Sequence, residues 1–179
     1  MSSEYYYTCP LDPETKTIAK IYLIKNVKNI GTIRTNIVKG NWKCAVIKPS
    51  LILDVFQVVV AANRAVVSER AHTMMTKTVY SEILFNLSLT KNISQSLSKF
   101  GIEKDNNILI CFLIEDIDEK YSEEIIEQIE GECCPVSDLT KFSNLNDIKS
   151  VYKIKNVKND VDILDVIVNR MVTKSFINH

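Results

Sequence analysis

Histidine is scarce in this chain: only His72 and His179 occur in 179 residues. A Ser-His-Asp or Cys-His centre would have to rest almost wholly on His72, which argues against that kind of catalysis. Glycine and proline are scarce too, with four of each. Gly31, Gly40, Gly101 and Gly131 stand singly, where a helix start or end can use them, so no loop cradles a phosphate as a P-loop or Rossmann turn does. No Ser-, Gly- or Pro-rich tract offers a linker, and the length suits one domain with a real core. The longest apolar runs, such as 58–62, fall far short of the roughly 20 residues of a membrane span. Tyr5-Tyr6-Tyr7 near the N-terminus is no basic segment leading into an apolar one, so no secretory signal is read there. A soluble intracellular protein without membrane contact is the expectation.

Cys9, Cys44, Cys111, Cys133 and Cys134 are an odd, scattered set without Cys-x-x-Cys spacing, so no metal site and no cofactor is expected. Adjacent cysteines seldom have disulfide geometry, and reduced thiols are expected throughout. Asp116 with Asp118 reads as part of an acidic, solvated loop rather than a metal or acid–base pair.

Net charge is zero, yet it is unevenly distributed. Residues 1–102 hold 13 Lys and Arg against 6 Asp and Glu, and residues 103–179 hold 9 against 16. Eight basic residues and no acidic one lie between Thr15 and Leu53. Such asymmetry can steer a polyanion, or it can vanish if the fold intermixes the two halves.

Periodicity predicts strands at 18–25, 43–47, 107–114 and 149–154. Between them it predicts a short helix capped by Asn29 and stopped by Gly40, a long central helix from Asp54 to about Ala71, and a helix opened by Ser122 and ended by Gly131. A helical turn near 138–142 and a last helix from Asp160 complete the reading. The segment from Ile21 to Asn29 is echoed from Val151 to Asn159, which suggests two strands each leaving into a capped helix. The expected fold class is α+β: a single domain, with a small, mostly antiparallel or mixed sheet of about four strands packed against several helices. The stretches 1–14 and 174–179 are expected to be open to disorder.

The richest segment runs from Lys77 to Ile102. Ile83, Leu84 and Leu87 recur at helical spacing, with Glu82 and Asn86 sharing another face of the turn. Asn92 with Gln95 reads as a capping box, Ile93, Leu97 and Phe100 form a stripe, and Gly101 fits a left-handed helix end.

The pattern Lys77-Thr78, 81–88, Asn92-Ile93 and 99–102 resembles the kinase-binding subunit of the EKC/KEOPS complex, the PRPK-binding protein family. Matches in order and spacing extend across nearly the whole chain, including Asp54-Val55-Phe56-Gln57, 61–65, Ile129-Glu130-Gly131, 164–167, Arg170-Met171 and Thr173-Lys174. The resemblance implies a non-catalytic subunit of a tRNA-modifying complex. Such a subunit binds the complex's kinase-like ATPase and, through it, the threonylcarbamoyl-transferase subunit, and it helps hold the tRNA 3′ CCA end for threonylcarbamoylation of adenosine 37. It also implies a cytoplasmic and nuclear location. Arg64, Lys77, Glu82, Asn86, Asn92 and Ile93 are expected to line the tRNA-end site, supplying cations, hydrogen-bonding groups and an apolar surface for a base. Phe56, with Leu164, Val168, Arg170 and Met171 on the last helix, is the expected kinase-docking face, although that stripe also suits the domain's own core. The alternative is a protein–protein scaffold or kinase regulator without direct RNA contact.

Overall fold

A computed structural model of the chain describes residues 5–115, 119–155 and 162–176. In chain order its strands are β1 (Tyr6–Pro10), β2 (Thr17–Lys25), β3 (Ala45–Ile47), β4 (Ile108–Glu115) and β5 (Glu132–Cys134). Its helices are α1 (Ile30–Val38), α2 (Val55–Arg70), α3 (Val79–Leu87), α4 (Ile93–Phe100), α5 (Glu119–Glu127), α6 (Leu145–Val151) and α7 (Ile163–Thr173), with 3₁₀ turns at Pro49–Leu51 and Val136–Lys141.

All described strand pairs are antiparallel, in the order β1-β2-β4-β3. β2 and β4 form the centre, paired from Thr17↔Glu115 to Ile24↔Ile108. The other edge of β2 is divided, with β1 opposite 18–22 and β5 opposite 23–25. Because β2 and β4 are almost wholly apolar, both faces of the sheet must be covered. On one face Ala19, Ile21, Leu23, Leu109 and Cys111 pack with Val58, Ala62, Ile83 and Phe100 of the α2, α3 and α4 layer. On the other, Tyr22, Ile24, Ile110 and Phe112 pack with Ile33 of α1 and Ile125 and Ile126 of α5. The outcome is the expected α+β domain, with an open five-stranded sheet between helices.

Several expectations need correction. The stretch 149–154 is not a strand: α6 ends at Val151, with Tyr152 as its C-cap. Asn144 starts that helix by accepting from the amides of Asn146 and Asp147, and a nucleated helix cannot also offer a flat pairing edge. The two echoed segments therefore diverge, since Ile21–Lys25 lies in β2 and Val151–Lys155 ends a helix. In place of the missing strand stand β1, from the stretch 1–14, and the three-residue β5. α5 begins at Glu119, so Ser122 is a buried residue within it rather than its opening. Gly101 has φ −74°, not a left-handed value; what excludes a side chain is the Leu97 carbonyl oxygen, 2.5 Å from where a Cβ would sit. The proposed start of the last helix at Asp160, and the pair Asp116 and Asp118, lie outside the described residues.

The charge division is partly cancelled in space. Lys20, Lys25 and Lys48 of the basic stretch pair with Glu123, Glu132 and Asp105 of the acidic half. Lys20 is moreover buried, with its ammonium over the Tyr6 ring at 4.5 Å from the centroid.

Candidate functional site

α3 is positioned by its own first turn. Thr78 accepts from the Ser81 amide while the Ser81 hydroxyl accepts from the Thr78 amide, a reciprocal cap that relieves two orphan donors. One turn on, the Glu82 side chain faces inward, only 2% exposed. Its carboxylate accepts from the amides of Met75 and Thr76 and from the Thr76 hydroxyl at 2.7 Å. These charge-assisted bonds fold the 73–78 loop back over the helix. Asn86, one turn further, is also buried and donates to the Ala61 carbonyl of α2 at 3.2 Å. Glu82 and Asn86 do share a face, as their spacing predicts, and that face turns inward, Glu82 to the 73–78 loop and Asn86 to α2, instead of to solvent.

Arg64 of α2 reaches the same region. Its guanidinium donates to the Met171 carbonyl of α7 at 2.7 Å, and burial lowers its pKa against the opposing pull of Glu82. Beside it is a residue that sequence reasoning missed, Lys174. Only 5% exposed, its ammonium donates to the carbonyls of Phe85 and Ser88 at the end of α3 and lies over the Phe85 ring. Burial, with the charge of Arg64, lowers its pKa to about 8, while Glu82 opposes the shift. A lysine at a helix C-terminus meets carbonyls that lack helical partners. The signal was present in Thr173-Lys174, but the stretch 174–179 was expected to be open to disorder.

A second missed group is the triad of Gln57, Tyr152 and the Leu87 carbonyl. The Tyr152 hydroxyl accepts from the Gln57 amide at 2.7 Å and donates to Leu87 at 2.6 Å, fully buried. It ties α2, α3 and α6 together, and it was hidden by reading Tyr152 as part of a strand.

The remaining expected tRNA-end residues are at the surface. Lys77 is exposed just before α3. Asn92 is exposed and caps α4 by accepting from the Gln95 amide at 2.9 Å, while its own amide donates to Thr90, so only half of the expected capping box forms. Ile93 is half-buried beside it. Lys77 and Asn92 stand beyond opposite ends of α3, a nine-residue helix about 13 Å long at 1.5 Å per residue. The six expected residues thus divide into an internal group, Arg64, Glu82 and Asn86, and three outer ones, Lys77 on one side of it and Asn92 with the half-buried Ile93 on the other.

Of the expected docking residues, Phe56 is 49% exposed at the start of α2, and Leu164, Val168 and Arg170 are half-buried on α7. Met171 is fully buried against the core. Arg170 donates to the Tyr152 carbonyl and lines a small basic cleft with Lys149, Lys153 and Lys155.

The family model described as "Kinase binding protein CGI-121" matches residues 24–175. The chain is 36% identical over 154 residues to the EKC/KEOPS complex subunit TPRKB of Danio rerio, covering 85% of this chain and 88% of that one. It is 33% identical over 138 residues to the EKC/KEOPS complex subunit CGI121 of Yarrowia lipolytica, covering 75% and 78%. With the Schizosaccharomyces pombe subunit cgi121 it shares 28% identity over 151 residues. β3, β4, β5, the helical layer carrying Lys77 to Ile102, and α7 fall within the matched span, whereas β1 and most of β2 precede it; the chain belongs to the CGI-121 kinase-binding protein family.

Proposed function

We propose that this chain is a non-catalytic subunit of an EKC/KEOPS complex, which binds the complex's kinase-like ATPase and helps hold the tRNA 3′ CCA end for threonylcarbamoylation of adenosine 37. The observation that carries the reading is the similarity, over most of its length, to relatives named as subunits of that complex. Contact with the threonylcarbamoyl-transferase subunit runs through the kinase, and residence in both cytoplasm and nucleus belongs to the same reading.

The geometry supports a division of labour at the RNA end. Lys77 supplies an exposed cation, and Asn92 with Ile93 supplies a polar group beside an apolar surface, as unpaired nucleotides require. Arg64, Glu82 and Asn86 act behind them, since their polar atoms already hold the 73–78 loop, α2 and α7 in place. Measured tRNA affinity should fall for Lys77→Glu and, separately, for tRNA lacking its CCA end; unchanged affinity in both rejects the RNA-holding role. Kinase docking is assigned to Phe56 and the outer side of α7, where Leu164 and Val168 are partly open.

A further inference from the structure

β4 is longer than the strand beside it. β3 pairs with it only from Ala45↔Cys111 to Ile47↔Leu109, whereas β2 pairs with it as far as Glu115. Among the described residues, 112–115 therefore meet no strand on the β3 side. The segment that would lengthen β3 is held elsewhere: the Lys43 amide donates to the Tyr121 hydroxyl at 2.7 Å, and that hydroxyl donates to the Asn41 carbonyl at 3.4 Å. Along this notch runs a cleft of about 1180 Å³, walled by Val66, Glu69 and Tyr80 from one layer and by Trp42, Phe112 and Tyr121 from the other.

An open strand edge presents main-chain donors and acceptors at a spacing that another extended polypeptide matches. The two-residue alternation of β4 then decides which side chains such a strand needs. Leu113 and Glu115 share the face turned to α2, while Phe112 and Ile114 share the face turned to α5. Glu69 of α2 is close enough to Glu115 that their repulsion adds to burial in raising its pKa. Neither carboxylate has an ion pair among the described residues.

We propose that this notch docks an extended peptide segment of a protein partner, which adds antiparallel to 112–115 in line with β3. In the bound strand a Lys or Arg opposite Glu115 sits between the two carboxylates, and the next three residues are apolar, opposite Ile114, Leu113 and Phe112. The charge complementarity at one end and the apolar walls at the other give the segment its direction.

The test uses the full chain and a synthetic probe, the capped peptide Lys-Val-Val-Val, whose last residue stops short of the Cys111 position that Ala45 already pairs. Two N-methylated isomers block alternate main-chain amides, and a third peptide carries Glu in place of Lys. Amide hydrogen exchange at 112–115 should slow on binding the parent peptide. One N-methyl isomer should lose binding and the other keep it, because only alternate amides face β4. The Glu peptide should bind about tenfold more weakly, and the exposed-site variant Glu115→Lys should invert that order. Absence of protection, equal binding of both N-methyl isomers, or protection by single-stranded RNA and not by peptide would each overturn the proposal. RNA is the competing occupant to exclude because Lys77 also lines the cleft.

Discussion

Glu82 shows how a single polar residue acquires its role from its surroundings. An isolated acidic group on an amphipathic turn reads as solvent-facing, yet this carboxylate is buried and accepts from two main-chain amides and a hydroxyl. Glu82→Gln keeps the shape and removes the charge; it should lower unfolding free energy by about 2 kcal/mol in a urea titration, the scale of a hydrogen bond to an ionised group. Lys174 makes a prediction of opposite sense. Its folded pKa, near 8, is below the unfolded value of 10.5, so between those values the unfolded chain binds more protons and stability rises with pH. Below pH 8 both states are protonated and the slope vanishes. Urea midpoints of the wild type measured against Lys174→Met should therefore diverge from pH 8 to 10, with only the wild type gaining from this group. Burial likewise pushes Cys44 and Cys111 up to about 12, which predicts that maleimide at pH 8 modifies the half-exposed Cys9 and Cys133 first.

At the level of elements, the long helix and the central strands were legible because each carries one strong period. α2 and β4 match their expected bounds to within a residue. α6 was not legible: seven residues are too few to display a helical period, and its β-branched end mimics a strand. What holds α6 is contact with the rest of the fold through Tyr152. Tyr152→Phe should cost about 1–3 kcal/mol by leaving Gln57 and the Leu87 carbonyl without that partner, measurable by urea unfolding. The turn from α4 into Gly101 depends on close approach rather than on a special dihedral. Gly101→Ala should cost about 1–3 kcal/mol, because the Leu97 carbonyl is backbone and cannot rotate aside.

At the scale of the molecule, α7 is both part of the core and a candidate docking surface. Met171 and Lys174 are buried, so removing the C-terminal segment would damage the domain as well as any interface. Single changes on the outer side avoid this: Phe56→Ala with Val168→Asp should reduce co-purification with the kinase-like ATPase while the thermal midpoint stays within a few degrees, and retained co-purification would reject the docking assignment. Family, fold class and the role of Asn92 as the cap of α4 were legible from the sequence, since local periods, caps and a spaced motif are properties of neighbouring residues. Tertiary structure alone decided that Glu82 turns in to the 73–78 loop and Asn86 to α2, that Lys174 caps α3 from 86 residues away, and that, among the described residues, the last stretch of β4 has no strand on its β3 side. Those outcomes depend on which surfaces meet across the chain, and no local spacing carries that information.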